Sequence, residues 1–179
     1  YADTTYWTPP YGAILRSTDR GATWSRTALT VRIGGNDDGR NTGERLQVDP
    51  NDGNILFLGT TRAGLWKSTD AGVTWNQVTS FTPTQCTLVL FDKTTGSAGS
   101  ATQTIFVGVA ATTGSSLYRS TDGGATWTAI PGQPTGVMPH HADIAYGTAR
   151  ALYLAYSNAL GPNGASSGAV WKLNLTDDS

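Results

Sequence analysis

One eight-residue phrase occurs three times in this chain, as Ser17-Thr-Asp-Arg-Gly-Ala-Thr-Trp24, Ser68-Thr-Asp-Ala-Gly-Val-Thr-Trp75 and Ser120-Thr-Asp-Gly-Gly-Ala-Thr-Trp127. Its aspartates, Asp19, Asp70 and Asp122, stand 51 and then 52 residues apart, which is the mark of an internal repeat. A strand-like segment precedes each copy (Gly12 to Arg16, Gly64 to Lys67, Ser116 to Arg119) and another follows it. Each phrase is therefore read as the tip of a β-hairpin.

Between the copies the strand signals cycle in fours. Glu44 to Val48 alternates, Pro50-Asn-Asp-Gly53 is turn chemistry, Ile55 to Gly59 is apolar, Gly64 to Lys67 alternates, and the phrase leads into Trp75 to Val78. The next unit repeats this with Thr87 to Phe91, Thr104 to Val109, Ser116 to Arg119 and Trp127 to Ile130. A further unit runs through Ala142 to Tyr146, Leu152 to Tyr156 and Ala169 to Leu173, its phrase decayed to Leu175-Thr-Asp-Asp. Repeated four-stranded antiparallel sheets are the blades of a β-propeller. The expected fold is thus all-β, about three and a half blades. Residues 1–29 give the outer strands of one blade, 44–80 a second, 86–130 a third and 140–179 most of a fourth. A propeller needs at least four blades to close, so both ends are read as cut inside a blade, with edges that pair with further chain.

Composition excludes several roles. Twelve Lys and Arg against 13 Asp and Glu give a net charge of -1 without a basic block, so a nucleic-acid surface is not expected. The longest apolar runs, such as Ile55 to Leu58 and Leu88 to Phe91, are strand-length, and no membrane span is expected. Cys86 is the only cysteine, which rules out an intrachain disulfide or a thiolate metal cluster. Sparse charge, at 14%, leans towards an extracellular all-β protein. No signal peptide opens the chain, and its first residue is not Met, so the N-terminus is read as processed or cut away.

The phrase itself reads as folding chemistry. Ser17 and Asp19 carry γ-oxygens that accept backbone N–H groups in a tight turn, Gly21 permits positive φ, and Trp24 can bury its ring as the next strand starts. The same roles fall to Ser68, Asp70, Gly72 and Trp75, and to Ser120, Asp122, Gly124 and Trp127. Three equivalent aspartates in separate blades do not make the two differently tuned carboxylates of acid–base catalysis. One Asp and one Ser are also too few oxygens for calcium. No metal and no cofactor are expected.

In such a blade the phrases mark one face, and the second-to-third turns and interblade loops form the other. Unusual side chains gather on that second face. In Tyr6-Trp7-Thr-Pro-Pro-Tyr11, Trp7 either offers its ring to a sugar face or packs between loops. Gly34-Gly-Asn-Asp-Asp-Gly-Arg40-Asn-Thr-Gly43 brings Asn36, Asp37 and Arg40 together without the helix or Lys-Ser/Thr pair of a phosphate loop. Arg40 either serves a ligand or pairs with Asp37 or Asp38. His140 and His141 are adjacent, a poor metal pair on a strand, and one of them is a candidate substrate contact.

The phrases, the stretch Gly35-Asn-Asp-Asp-Gly-Arg-Asn-Thr-Gly-Glu-Arg-Leu-Gln-Val-Asp-Pro-Asn51, Gly64-Leu-Trp-Lys-Ser-Thr-Asp70, Met138-Pro-His140 and Tyr156-Ser-Asn158 with Gly161-Pro162 resemble glycoside hydrolase family 74. These are secreted xyloglucanases and related endo-β-1,4-glucanases, and the phrase is their Asp-box. The resemblance covers essentially the whole chain and matches the middle of the N-terminal of two seven-bladed propellers. It implies inverting cleavage by two aspartates, neither of which has a counterpart here. An inverting pair stands roughly 6.5–9.5 Å apart across the sugar. It implies as partners a polysaccharide, the rest of the same propeller and a second propeller, and on this reading Trp7, Asn36, Asp37, Arg40 and His140 from the loops above are the expected glucan contacts. One departure stands out. Between Phe81 and Leu88 the family has a longer loop, so either the protein is trimmed there or residues are missing from the sequence. The competing reading is a non-catalytic Asp-box propeller that binds proteins. A sialidase is disfavoured because Val31-Arg-Ile-Gly34 is not the Arg-Ile-Pro signature.

Overall fold

The computed structural model describes residues 12–29, 31, 33, 43–111, 113–160 and 165–176. Among them the regular structure is β apart from one 3-10 turn, Lys93–Thr95. Strands β1 (Ala13–Arg16) and β2 (Ser25–Ala28) form a hairpin around the first Asp-box. Strands β3 (Leu46–Val48), β4 (Leu56–Gly59), β5 (Leu65–Ser68) and β6 (Asn76–Gln77) form a four-stranded sheet in sequence order. Strands β7 (Cys86–Phe91), β8 (Ile105–Val109), β9 (Leu117–Ser120) and β10 (Thr128–Ala129) repeat it. A three-stranded sheet follows, of β11 (Met138–Tyr146), β12 (Arg150–Ser157) and β13 (Gly168–Asn174). Every pairing is antiparallel. These sheets are propeller blades.

Each core lies between blades. Ile14 and Leu29 of the first hairpin meet Leu56, Leu58 and Trp75 of the second blade. Phe57, Leu65 and Phe81 then meet Val89, Ile105 and Val107 of the third, and Phe106 and Leu117 meet Ile144, Leu152 and Leu154 of the fourth. Both faces of β4 and β8 are covered, so these strands are apolar throughout and buried end to end. Phe81 lies edge-on to Trp127 at 5.2 Å and to Tyr118 at 5.4 Å, in the T-shaped arrangement the ring quadrupole favours.

The β12–β13 face breaks the series. By strand register Tyr153 corresponds to Phe57 and Phe106, and Val170 to Leu65 and Leu117. The four earlier residues are fully buried, whereas Tyr153 is 42% exposed and Val170 76%.

Buried aspartates fasten blade to blade. Asp49 closes its own turn by accepting the N–H of Asn51 (2.8 Å), and it reaches the third blade by accepting the N–H (2.8 Å) and hydroxyl (2.5 Å) of Thr102. Asp92, the equivalent residue of that blade, accepts the N–H of Thr94 (3.1 Å) and bonds Arg150 Nη1 of the fourth at 2.5 Å. Lys67 adds a further tie, donating to Gly123 O at 2.9 Å with its ammonium over the Phe57 ring.

The short link from Phe81 to Leu88 closes by backbone bonds, Gly64 N–H to Thr84 O (2.9 Å) and Cys86 N–H to Thr60 O (2.8 Å). Strand β11 starts at Met138, four residues ahead of the alternation that begins at Ala142. The register shifts between Pro139 and His141, and such a bulge tolerates a proline and interrupts the two-residue period.

Candidate functional site

The Asp-boxes are closed structures. In the second, Ser68 Oγ donates to Asp70 Oδ1 (2.8 Å) and accepts the N–H of Gly72 (2.9 Å). Asp70 Oδ1 accepts the N–H of Thr74 (2.8 Å), and Oδ2 accepts the Thr74 hydroxyl (2.6 Å). The first and third boxes repeat this with Asp19 and Thr23 and with Asp122 and Thr126. Bonds from the threonine and then the serine hold all three carboxyls at about 2, below the usual value of 3.8. Such groups stay ionised and fully bonded, which suits neither an acid nor a base at neutral pH. The threonine recurs in all three copies, and that recurrence is the sequence signal for its role.

The box glycines Gly21, Gly72 and Gly124 have φ of 89, 83 and 88°. Trp75 donates Nε1–H to Gly72 O at 3.2 Å and Trp24 to Gly21 O at 3.1 Å. Trp75 and Trp127 pack against the preceding blade. Trp24 is 62% exposed, because among the described residues no blade precedes its hairpin.

Hydrogen bonds separate two faces. Ala71 N–H reaches Asn54 O (2.9 Å) and Gly123 N–H reaches Gln103 O (2.9 Å), which puts the boxes beside the first-to-second turns. On the opposite face Ala110 N–H reaches Gln85 O (2.8 Å), joining the second-to-third turns to the interblade links.

Two amides shape the loops of that opposite face. Gln133 Oε1 accepts the N–H groups of Ser116 (2.6 Å) and Leu117 (2.7 Å), and its Nε2 donates to the carbonyls of Ile130 (2.7 Å) and Leu117 (3.1 Å). It thereby stands in for a missing piece of strand. Asn158 Oδ1 accepts the N–H groups of Ser166 (3.0 Å) and Ser167 (3.2 Å), and Nδ2 donates to Ser166 Oγ (2.9 Å). Nothing in a lone Gln or Asn announces such a clamp in the sequence.

His140 sits between these loops at the β11 bulge. Its carbonyl accepts the N–H of Gly43. Its ring is hydrogen-bonded to the Ala159 backbone, and Nε2 is buried with no partner among the described residues. Burial lowers the imidazole pKa, the Ala159 bond partly offsets this, and His141 lowers it further. At neutral pH the ring is therefore uncharged. Trp7, Asn36, Asp37 and Arg40 lie outside the described residues, and of the candidate contacts only His140 is placed.

No group of three or more His, Cys, Asp and Glu that could hold a metal occurs among the described residues. Burial pushes the Cys86 thiol up to about 12, which leaves it unreactive. No helix of the described residues is long and apolar enough to cross a membrane.

Residues 118–129 match the BNR/Asp-box repeat. The chain is 52% identical to a xyloglucanase of a Paenibacillus species, over 97% of this chain and 18% of that protein. It is 49% identical to a xyloglucanase of Acetivibrio thermocellus, over 94% of this chain and 22% of the relative. The chain thus spans about a fifth of the length of these curated relatives. Among solved structures, the GH74 xyloglucanase of Xanthomonas campestris superposes with a TM-score of 0.86 at 38% identity, covering 93% of this chain and 26% of that one. Sequence identity along nearly the whole chain, the superposed fold and the Asp-box blades together support its being a fragment of a glycoside hydrolase family 74 protein.

Proposed function

We propose that this chain is the middle of the N-terminal propeller of a secreted xyloglucanase, and that its loops opposite the Asp-boxes form part of a glucan-binding cleft. The observation that carries the reading is identity of 49–52% to xyloglucanases along nearly the whole chain. In this mechanism one aspartate protonates the glycosidic oxygen and a second activates water on the opposite face of the sugar, with inversion. Both belong to further chain, the second to a facing propeller. The residues here hold the glucan. Trp7 stacks on a sugar ring, while Asn36, Asp37, Arg40 and His140 offer hydrogen bonds. Chemistry at the Asp-boxes is disfavoured by carboxyls whose oxygens are already occupied.

The test is to incubate the full-length protein with xyloglucan, unsubstituted β-glucan and a sialoside, and to follow new reducing ends and sialic acid. Release from xyloglucan with inverted anomeric configuration is expected. No release from any of the three substrates overturns the proposal in favour of a protein-binding propeller. Trp7→Ala in the same protein is expected to raise KM about tenfold, the scale of one lost stacking contact, with kcat nearly unchanged.

A further inference from the structure

The innermost strands β3, β7 and β11 line an open hollow of about 240 Å3 whose polar lining is the exposed Glu44, His141 and Asp143 and the half-buried Gln47. Gln47 and Asp143 occupy equivalent register positions in their blades, paired with Phe57 and Tyr153. The apolar lining includes the buried side chains of Leu88 and Val89. Asp143 spends one oxygen on the N–H of Ile144 at 2.8 Å. The side chains of Glu44, Gln47 and His141 make no hydrogen bond or ion pair among the described residues. Four polar groups from two blades thus line one hollow, with most of their bonding capacity open to solvent or a ligand.

The chemistry of the set selects its ligand. Two carboxylates accept only, Gln47 both donates and accepts, and the His141 ring adds a donor N–H. An anion is repelled by this lining. An apolar ligand would desolvate the carboxylates without bonding them. A polyhydroxylated ring donates hydroxyls to Glu44 and Asp143 and lays its C–H face on Leu88 and Val89. The volume lies below the roughly 300–1,000 Å3 of drug-sized sites, which suits one ring and not an oligosaccharide.

We infer that this axial cavity binds a single neutral pyranose. The inference deepens the proposed function and rests on it only for the source of the sugar, which is either a free monosaccharide or a side-chain unit of the branched glucan. Both present the same ring hydroxyls except the anomeric one, which the glycosidic bond occupies in a linked unit.

The test is calorimetric titration of the full-length protein with D-xylose, D-galactose, D-glucose and a xylose-substituted glucan oligosaccharide. Wild type is compared with Glu44→Gln, Gln47→Ala and His141→Ala. These side chains anchor nothing in the fold, and equal melting temperatures will show that it is kept. At least one free pyranose is expected to bind, and each substitution to weaken it about tenfold, the scale of one lost charge-assisted or bidentate contact. Parallel weakening of the oligosaccharide identifies a side-chain unit as the source, and an unchanged oligosaccharide affinity identifies the free sugar. Absence of pyranose binding, or binding that all three substitutions leave unchanged, overturns the inference. So does calcium chloride binding that Glu44→Gln abolishes when no sugar binds. Xyloglucan hydrolysis by the same wild-type preparation keeps the two proposals apart. Its absence counts against the proposed function, while the titrations alone decide the cavity.

Discussion

Arg20 and Ala71, at the fourth position of the first two boxes, have φ of 60 and 57°, in the left-handed region, whereas the third box has Gly123 there at φ 68°. An L side chain in that region is disfavoured by roughly 1 kcal/mol, so Ala71→Gly is expected to stabilise the second blade by about 0.5–1 kcal/mol, read as a rise in melting temperature. The fifth position behaves oppositely. A Cβ at Gly124 would come within 2.6 Å of the Phe57 ring, but one at Gly72 meets nothing closer than 3.8 Å. Gly124→Ala should therefore cost more than Gly72→Ala, with roughly 2–3 kcal/mol against 1–2 expected from chemical denaturation. The box carboxyls also set an acid limit. Their folded pKa of about 2 lies below the ordinary 3.8, so the unfolded chain takes up protons first as pH falls. Their contribution is complete above about pH 4 and disappears towards pH 2. Urea midpoints measured across that window should fall with acid, and less steeply in Asp70→Asn. At this scale the serine, aspartate, glycine and tryptophan chemistry could be read from the phrase. The strained fourth position could not, because an Arg or Ala gives no sign of positive φ.

Strand order, blade period and the two faces were legible because alternation and turn residues are local signals. The start of β11 was not, since Met138-Pro-His-His141 reads as a loop until a bulge absorbs the proline. The interblade clasps were equally hidden. Val48-Asp49-Pro50 reads as an ordinary turn, yet Asp49 binds Thr102 in another blade, and Asp92 binds Arg150. Asp92 is 2% exposed, so Asp92→Ala leaves Arg150 without its carboxylate and is expected to cost about 3 kcal/mol. In a cycle with Arg150→Met the double variant should recover part of that loss, and additive midpoints would deny the coupling. Gln133→Ala strands two buried-edge N–H groups and should cost about 1–3 kcal/mol. Amide exchange at Ser116 and Leu117 should accelerate more than elsewhere in the third blade.

For the whole molecule, the exposed face of Tyr153 and Val170 bears on any attempt to make these 179 residues alone. Faces of this type are buried between the earlier blades, and a patch left open promotes association. Sedimentation of the isolated chain is expected to show concentration-dependent oligomers, which Val170→Lys with Tyr153→Lys should disperse. The candidate glucan contacts were the least legible part, because four of the five lie outside the described residues, in two stretches whose sequence carries no strand periodicity. The box tryptophans carry one further consequence. Trp75 packs on the hairpin made before it, and Trp127 on the blade made before it. A chain leaving the ribosome from its N-terminus can seat each new box on a surface already finished, so the repeat is directional. Blades assemble like courses of masonry, each laid on the one below, and an early blade that fails denies every later one its footing.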